Sequence, residues 1–422
     1  MAQLKDDCFA FGGELTPVEQ ALGELRDRLT CVCGIESVSI HAALGRILAE
    51  DVVSPRDVPP HNNSAVDGYA VYFADLDTAG ETRLPVTGRV AAGHPLDRPA
   101  RRGEALRIFT GAPVPDGDDG GPDTIFMEED CVLDDRVVTL PPGLKFGANK
   151  RDRGEDVKTG SVIITAGTRL RAQEVGLAAS VGRAQVNVYK RLRIAVFSTG
   201  DEVRDPADDA PDGCIFDANR FAIMGLLKDL GCAVTDIGIL PDDERQIATA
   251  LGNAAPNHDV LITSGGVSAG EEDHVKAAVQ RQGSLHFWRF SIKPGRPVAL
   301  GQIGAASFIG LPGNPVAAMV TFMVIARPVV NLLSGNKETG RRRYPVVAGF
   351  QYRKKKGRRE WVRVQVREGD DGVLIATKHH SSGAGILTSM VHADGLVELP
   401  EDVESVTVGA TVSYLSFNEV VR

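Results

Sequence analysis

Three polar, glycine-rich segments carry residue types that could hold an anion: Ser198-Thr199-Gly200-Asp201-Glu202, Ser264-Gly265-Gly266-Val267-Ser268 and Pro312-Gly313-Asn314-Pro315. Each follows a short apolar run that reads as a buried strand. Glycines after a strand let the backbone approach a ligand, and the next helix N-terminus points N–H groups at a negative charge. One such glycine is as readily a plain turn. Three on one sheet edge point to a phosphate-bearing ligand. None matches G-x-x-x-x-G-K-[ST] or G-x-G-x-x-G, so a P-loop NTPase and a dinucleotide-fingerprint dehydrogenase are excluded.

Acids collect beside these loops: Asp201, Glu202, Asp242, Asp243, Glu271, Glu272 and Asp273. They read either as helix N-terminal caps or as a Mg2+ site, since that ion takes carboxylates together with substrate phosphate and water. Cations follow at Arg289, Lys293 and Arg296. Pro294 and the alternation around it predict an extended segment with Arg289 and Lys293 on one face. That face suits an oxyanion; the alternative is a solvated edge. Two further clusters, 149–156 and 62–70, name no reaction on their own, although the small residues before Asp67-Gly68 predict a tight turn that projects Asp67. Residues 341–360 hold nine bases and one acid. With Gly357 central to the run, they read as a charged hairpin tip, nucleic-acid binding being the alternative.

The elements that must position these residues follow from patterning. A chain of 422 residues suggests two to four domains. Residues 15–30 predict an amphipathic helix with Thr16 as N-cap, Pro17 at the first helical position and Glu19 three residues after the cap. Residues 51–60 read as a loop or extended linker. From 66 to 164, short apolar runs (107–109, 124–127, 136–140) alternate with turns, which predicts an all-β insertion. Its acidic stretch, 116–135, has nine acids and no base and reads as solvated hairpins. From 193 to 333 strands (194–197, 234–240, 260–263, 308–311) alternate with helices (219–230, 244–255, 272–282, 315–333). That rhythm implies a parallel sheet with right-handed crossovers and a ligand beyond the carboxyl ends of its strands. After a polar break at 334–340, alternating runs such as 361–366 and 403–415 predict a small β domain.

Composition narrows the setting. The net charge of -9 and pI near 5.6 disfavour nonspecific binding to nucleic acid or anionic membrane. An anionic substrate therefore needs a local cationic pocket. The first eleven residues do not resemble a signal peptide. The most apolar stretch, 316–326, is broken by Arg327 and Pro328, short of the roughly 18 residues of a membrane span. A cytoplasmic protein is expected. The six cysteines form no C-x-x-C pair. Cys31 and Cys33 read as free thiols rather than a zinc site.

The segment Asn63-Ser64-Ala65-Val66-Asp67-Gly68-Tyr69-Ala70 resembles the N-S-A-M-D-G-Y-A signature of MoeA-type proteins, a family that includes the E domain of gephyrin. The other motifs agree in order: Thr110-Gly111-Ala112-Pro113, Arg151 with Gly154-Glu155-Asp156, the three glycine loops, and Ile292-Lys293-Pro294-Gly295. The resemblance covers nearly the whole chain. It implies an α/β multidomain fold: a molybdopterin-binding β-α-β domain (1–34 with 187–340), a linking subdomain (35–61 with 156–186), a mostly-β insertion (62–155) and a C-terminal β-barrel-like domain (341–422). It implies a homodimer whose active site is shared between subunits. The implied reaction is insertion of molybdenum from molybdate into adenylylated molybdopterin, with release of AMP and formation of molybdenum cofactor, with Mg2+ as cofactor. The adenylyltransferase and recipient apo-molybdoenzymes are implied as further partners; nucleic acid and membrane are not.

The resemblance also implies residue roles. Glu202, Asp242 and Asp273 would hold the metal or the pyrophosphate-side water, with Asp67 and Lys293 completing the catalytic set. Lys293, Arg296 and Arg289 would bind molybdate and the pterin phosphate as preorganised cations. Ser264, Gly265, Gly266 and Ser268 would cradle phosphate, and Pro312 and Pro315 would shape their loop. Asp67, Thr110, Arg151, Glu155 and Asp156 would come from the partner subunit, and Arg363 would reach molybdate. Three positions depart from the family pattern. Asn62 stands where Asp is usual. Arg289 stands where Lys is frequent, keeping charge but not geometry. Ala384 stands where many members have Ser, with Ser382 the hydroxyl nearby. Two other functions fit parts of the pattern: adenylylation of molybdopterin on the same binding fold, and a non-catalytic dimeric scaffold.

Overall fold

The computed structural model describes residues 16–266, 274–295, 297–337 and 340–420. Its centre is a six-stranded sheet in which Ala233–Leu240, Arg193–Thr199, Val260–Ser264 and Ala306–Leu311 run parallel. The expected all-parallel sheet is incomplete. A hairpin, Gly283–Arg289 with Pro297–Ile303, adds two antiparallel strands at the Ala306–Leu311 edge. Buried apolar runs make Arg193–Thr199, Val260–Ser264 and Ala306–Leu311, as both faces there are covered by helices, whereas Ala233–Leu240, at the sheet edge, is only part-buried.

One helical rod, 315–333, fills most of one face. It is α over Pro315–Thr321, π over Phe322–Ala326 and α again over Arg327–Leu333. The wide turn falls just before Pro328, whose missing N–H cannot complete an ordinary α ladder. By length and composition this 19-residue rod could cross a membrane, longer than the 316–326 stretch alone suggested. However, 89% of its most apolar window is buried inside the chain. Phe197, Phe290, Phe308 and Phe322 are fully buried around this sheet. Each stabilises the fold by about 1.5–3 kcal/mol.

The helix Val18–Arg28 packs Val18, Ala21, Leu22 and Leu25 into the same core. Thr16 does not cap it, contrary to expectation. Thr16 is buried in a β-bridge to Phe290, and its carbonyl accepts the Ser291 N–H, so the extended Pro17 becomes the cap residue. A separate small core (Leu48, Val52, Ile164 and Val188 among others) joins Ile35–Ser39 to Gln185–Tyr189 and Val52–Val53 to Val162–Ile164. The insertion is a six-stranded sheet centred on Ala105–Ile108 and Thr82–Val90, with Gly68–Val71 next to them. A Cβ at Gly68 would lie 1.7 Å from the Phe126 carbonyl oxygen, so only glycine lets these strands pair.

The C-terminal strands Tyr344–Ala348, Arg359–Glu368, Leu374–Lys378, Gly395–Leu399 and Thr411–Ser416 close into a five-stranded barrel through the Arg359–Glu368 and Gly395–Leu399 pairing. The alternating run expected over 403–415 is divided: Ser405–Val406 pairs with Tyr352–Arg353, and only Thr411–Ser416 joins the barrel. The basic run 341–360 is not simply a hairpin tip. Gly357 makes the turn at φ 76, but Arg343 and Arg359 both reach Glu398, and Arg359 also reaches Glu401 and Glu19. This network ties the barrel to the N-terminal helix.

Glu398 is 3% exposed. Burial opposes its ionisation, but Arg343, Arg341 and Arg359 outweigh it and hold its carboxyl below the usual range. A depressed folded pKa stabilises above the unfolded value of about 4.3 and is lost as pH falls through the folded value. Glu398→Gln is expected to cost about 3 kcal/mol at pH 7, the lower end for a broken buried pair because solvent screens Arg343. The difference should shrink toward pH 3. Urea midpoints of both proteins at pH 7 and pH 3 check this, and equal midpoints at pH 7 would contradict it.

Candidate functional site

A cavity of about 690 Å3 opens between the carboxyl edge of the α/β sheet and the barrel. One wall is Gly265, Gly266 and the loop Pro312-Gly313-Asn314; the other runs from Tyr352 to Ala384. Its lining carries Lys293, Arg358, Arg363 and Lys378 against Glu202 and Glu360. Cations therefore outnumber carboxylates, as an anionic ligand requires in an acidic protein.

The glycine loops are shaped by their own hydrogen bonds. Ser264 Oγ donates to Pro312 O at 2.9 Å, and Gly265 N donates to Leu311 O at 3.0 Å. Asn219 Nδ2 donates to Ser264 Oγ at 2.8 Å and to Gly313 O at 2.6 Å. Asn219 thus ties two loops together, a role that its place at a helix start concealed. Gly266 sits at φ +62, and a Cβ there would meet Val275 at 2.5 Å and the Thr199 hydroxyl at 2.7 Å. The hydroxyls of Ser198, Thr199 and Thr263 are buried at these strand ends without a partner among the described residues. Such orphaned donors suit a polar ligand.

Lys293 arrives by a different route from the one expected. The strand breaks at Phe290–Ser291. Arg289 pairs with Pro297 in the α/β sheet, whereas Ile292–Lys293 pairs with Arg359 and Glu360 in the barrel. Arg289 and Lys293 therefore do not share one strand face. Lys293 Nζ lies 3.5 Å from both Glu360 Oε2 and Tyr352 Oη. Glu360 is 1% exposed and accepts hydrogen bonds from Tyr352 Oη at 2.8 Å and Arg358 Nε at 2.9 Å. Burial opposes its charge, but Tyr352, Arg358 and Lys293 hold its carboxyl below the usual range. Burial and Glu360 together push the Tyr352 phenol up. Lys378 Nζ lies 5.9 Å from the Tyr352 ring centroid, as Lys293 Nζ does. Sequence reading missed Tyr352, Glu360, Lys378 and His379; Glu360 was hidden at the end of a run of bases.

The other expected site residues divide into groups. Glu202, Gly265, Gly266, Lys293, Pro312 and Arg363 line the cavity. Ser264 stands just behind the wall, 5% exposed, and Pro315 begins the helix after the loop. Asp242 faces Asp201: each backbone N–H donates to the other's carboxylate, at 3.3 and 3.4 Å. Asp243 caps the helix Glu244–Ala254, its carboxylate accepting the Gln246 N–H. Among the described residues no three His, Cys, Asp or Glu side chains form a metal cage. Ser268, Asp273 and Arg296 lie outside the described residues, as does the side chain of Arg289.

Asp67, Thr110, Arg151, Glu155 and Asp156 do not line this cavity. All five are exposed on the insertion side of the chain. The Thr110 N–H and hydroxyl both reach Asp67 Oδ1 at 2.7 Å and hold its carboxyl below the usual range. Arg151 pairs with Asn63, and Glu155 accepts the Asp152 N–H at 3.1 Å.

A glycine-looped α/β domain, a β insertion and a closed C-terminal barrel that completes the cavity define a multidomain protein with an anion-binding site at a domain seam. Family models match in series: the MoeA N-terminal region (domain I and II) over residues 16–182, the probable molybdopterin binding domain over 195–331, and the MoeA C-terminal region (domain IV) over 345–417. The molybdopterin molybdenumtransferase of Haemophilus influenzae is 36% identical over 405 residues, 96% of this chain and 99% of the relative. That of a Nostoc species is 32% identical over 390 residues, 90% of this chain and 88% of the relative. A crystal structure of the molybdopterin biosynthesis moeA protein of Pyrococcus horikoshii superposes with a TM-score of 0.81 at 26% identity, over 96% of this chain and all of that one. The chain belongs to the MoeA family.

Proposed function

We propose that the chain is a molybdopterin molybdenumtransferase: it inserts molybdenum from molybdate into adenylylated molybdopterin, releasing AMP and forming molybdenum cofactor. The observation that carries this reading is the cationic cavity at the seam of the α/β sheet and the barrel, in a chain that matches transferases along nearly its whole length. The glycine loops hold the pterin phosphate, with the Thr199 and Thr263 hydroxyls behind them. Lys293 and Arg363 receive molybdate as preorganised cations, and the sequence assigns Arg289 and Arg296 to the same anion. Water adds at one phosphorus of the phosphoanhydride as its bond to AMP breaks, leaving one phosphate on the pterin and one on AMP, and charge grows on the departing phosphate. Glu202 and Asp242, with Asp273, would hold Mg2+; Glu202 and Asp242 are exposed, Asp242 is tied through Asp201 to the loop that carries Glu202, and carboxylate oxygens suit a hard cation. When bound, it offsets charge on the leaving phosphate.

A homodimer with shared active sites belongs to the same proposal. Asp67, Thr110, Arg151, Glu155 and Asp156 stand outside their own chain's cavity, which is what contribution to a partner's site requires. Ile215, Phe216 and Phe221 are 57%, 53% and 44% exposed on one stretch of chain, apolar surface that a second copy would cover. We place the four units at the boundaries implied by the sequence, and the reaction in the cytoplasm. The adenylyltransferase and recipient apo-molybdoenzymes are further partners.

Purified protein should release AMP from adenylylated molybdopterin only when molybdate and Mg2+ are present, and should activate a molybdenum-free apoenzyme. Asp67→Ala and Asp273→Ala should abolish both signals. ATP consumption with free molybdopterin would favour adenylylation instead. A folded wild-type protein giving neither signal would move the scaffold reading forward.

A further inference from the structure

We propose that His379 is a positioning residue that holds Arg363 in the geometry an oxyanion needs, an inference that rests on the cavity being the molybdate site. Arg363 is 7% exposed and has no carboxylate partner among the described residues. Its guanidinium donates instead to two loop carbonyls, Nη1 to Gly383 O and Nη2 to Ser381 O, each at 3.1 Å. Two donors of the fork are thereby fixed, and the rest are left for a ligand in the cavity that Arg363 lines.

Those carbonyls lie on 381–383, a stretch with no helix or strand of its own. His379 supplies the restraint. Its backbone N–H donates to Arg363 O at 3.0 Å, and its ring Nδ1 accepts the Ser381 N–H at 3.1 Å. The same nitrogen lies farther, 3.4 Å, from Ser381 O, so the amide is the better partner. A closed circuit results, from Arg363 to His379, on to Ser381 and back to the guanidinium. The ring is held from outside by His380 and His392, with centroids 4.2 and 5.9 Å away. On the far side of the loop, Val316 N donates to Ala384 O at 3.0 Å and pins it to the α/β domain. Groups that fix the orientation of a ligand-binding side chain govern its affinity without touching the ligand.

The test is calorimetric titration of molybdate into the full chain, together with hydrogen exchange at the Ser381 amide. Wild type is compared with His379→Ala, His379→Asn and His379→Gln. Asn places an acceptor where Nδ1 stands; Gln places it one bond farther out. His379→Ala and His379→Gln should bind molybdate about tenfold more weakly, the loss of one hydrogen bond serving a charged group, and exchange the Ser381 amide faster. His379→Asn should recover both properties. A merely structural role would not separate Asn from Gln, so equal behaviour of those two overturns the proposal, as does wild-type binding by His379→Ala. If His379→Ala does not fold, the Asn and Gln pair still decides. AMP release is scored separately. Turnover by wild type with unchanged molybdate binding in the variants overturns the latch alone. No turnover overturns the insertion reading, and Ser381 exchange then judges the latch.

Discussion

Replacing Lys293 by alanine lowers molybdate-dependent AMP release by about 10²–10³-fold, the loss expected when one preorganised charge-stabilising donor is removed. The side chain is 44% exposed, and its Nζ stands 3.5 Å from the buried Glu360 carboxylate. It is therefore anchored on one side and open to a ligand on the other. Removing it should not unfold the barrel, because Glu360 keeps Tyr352 and Arg358. Lys293→Arg keeps the charge but exchanges a compact ammonium for a planar fork, so it should recover only part of the rate. AMP release and thermal midpoint, measured on the same preparations, check this. A normal rate in Lys293→Ala would remove the residue from the catalytic set, and a collapsed midpoint would make its role structural.

Two inactive variants should restore each other. Asp67→Ala spoils the insertion's contribution and Lys293→Ala spoils that of the α/β domain. In a dimer with shared sites, a mixed pair contains one site built from two intact halves and one from two damaged halves. Random mixing by co-expression gives about half mixed dimers, each with one good site of two, hence about a quarter of wild-type activity for a twofold dimer. Either variant alone should stay near background. If the mixture stays there too, while mass measurement shows that mixed dimers have formed, each site belongs to a single chain and the shared-site reading fails.

The α/β alternation was legible because the three inner parallel strands are short, buried and mostly apolar: Ile194, Val196, Ile262 and Ile309 have no solvent exposure. The extended character of 289–293 was legible too, but the hairpin Gly283–Ile303 was not, because His286, Arg289, Lys293 and Pro297 interrupt the apolar pattern that announces a strand. The fate of Lys293 was hidden for a related reason. Its strand is two residues long and pairs with a segment more than sixty residues away, and no local periodicity encodes such a partner. Glu360 illustrates a further limit. Within Arg358-Arg359-Glu360-Trp361 it looks like surface charge, yet closure of the barrel makes it nearly inaccessible. The glycine loops, by contrast, were readable because their function is built into the backbone, and backbone freedom is written in residue type.

The pairing of Ile292–Lys293 with Arg359 and Glu360 makes the two larger units poor modules. A chain cut after residue 340 would retain the glycine loops, yet its lysine would dangle from a strand without a neighbour. The severed barrel would keep Glu360 paired with Arg358 but without its lysine. Neither fragment would own half of the reaction, and mixing the two would have to rebuild a sheet before it could rebuild a site. Grafting a barrel from a distant relative should meet the same obstacle. In this chain heredity and engineering alike must treat the seam as one inseparable unit.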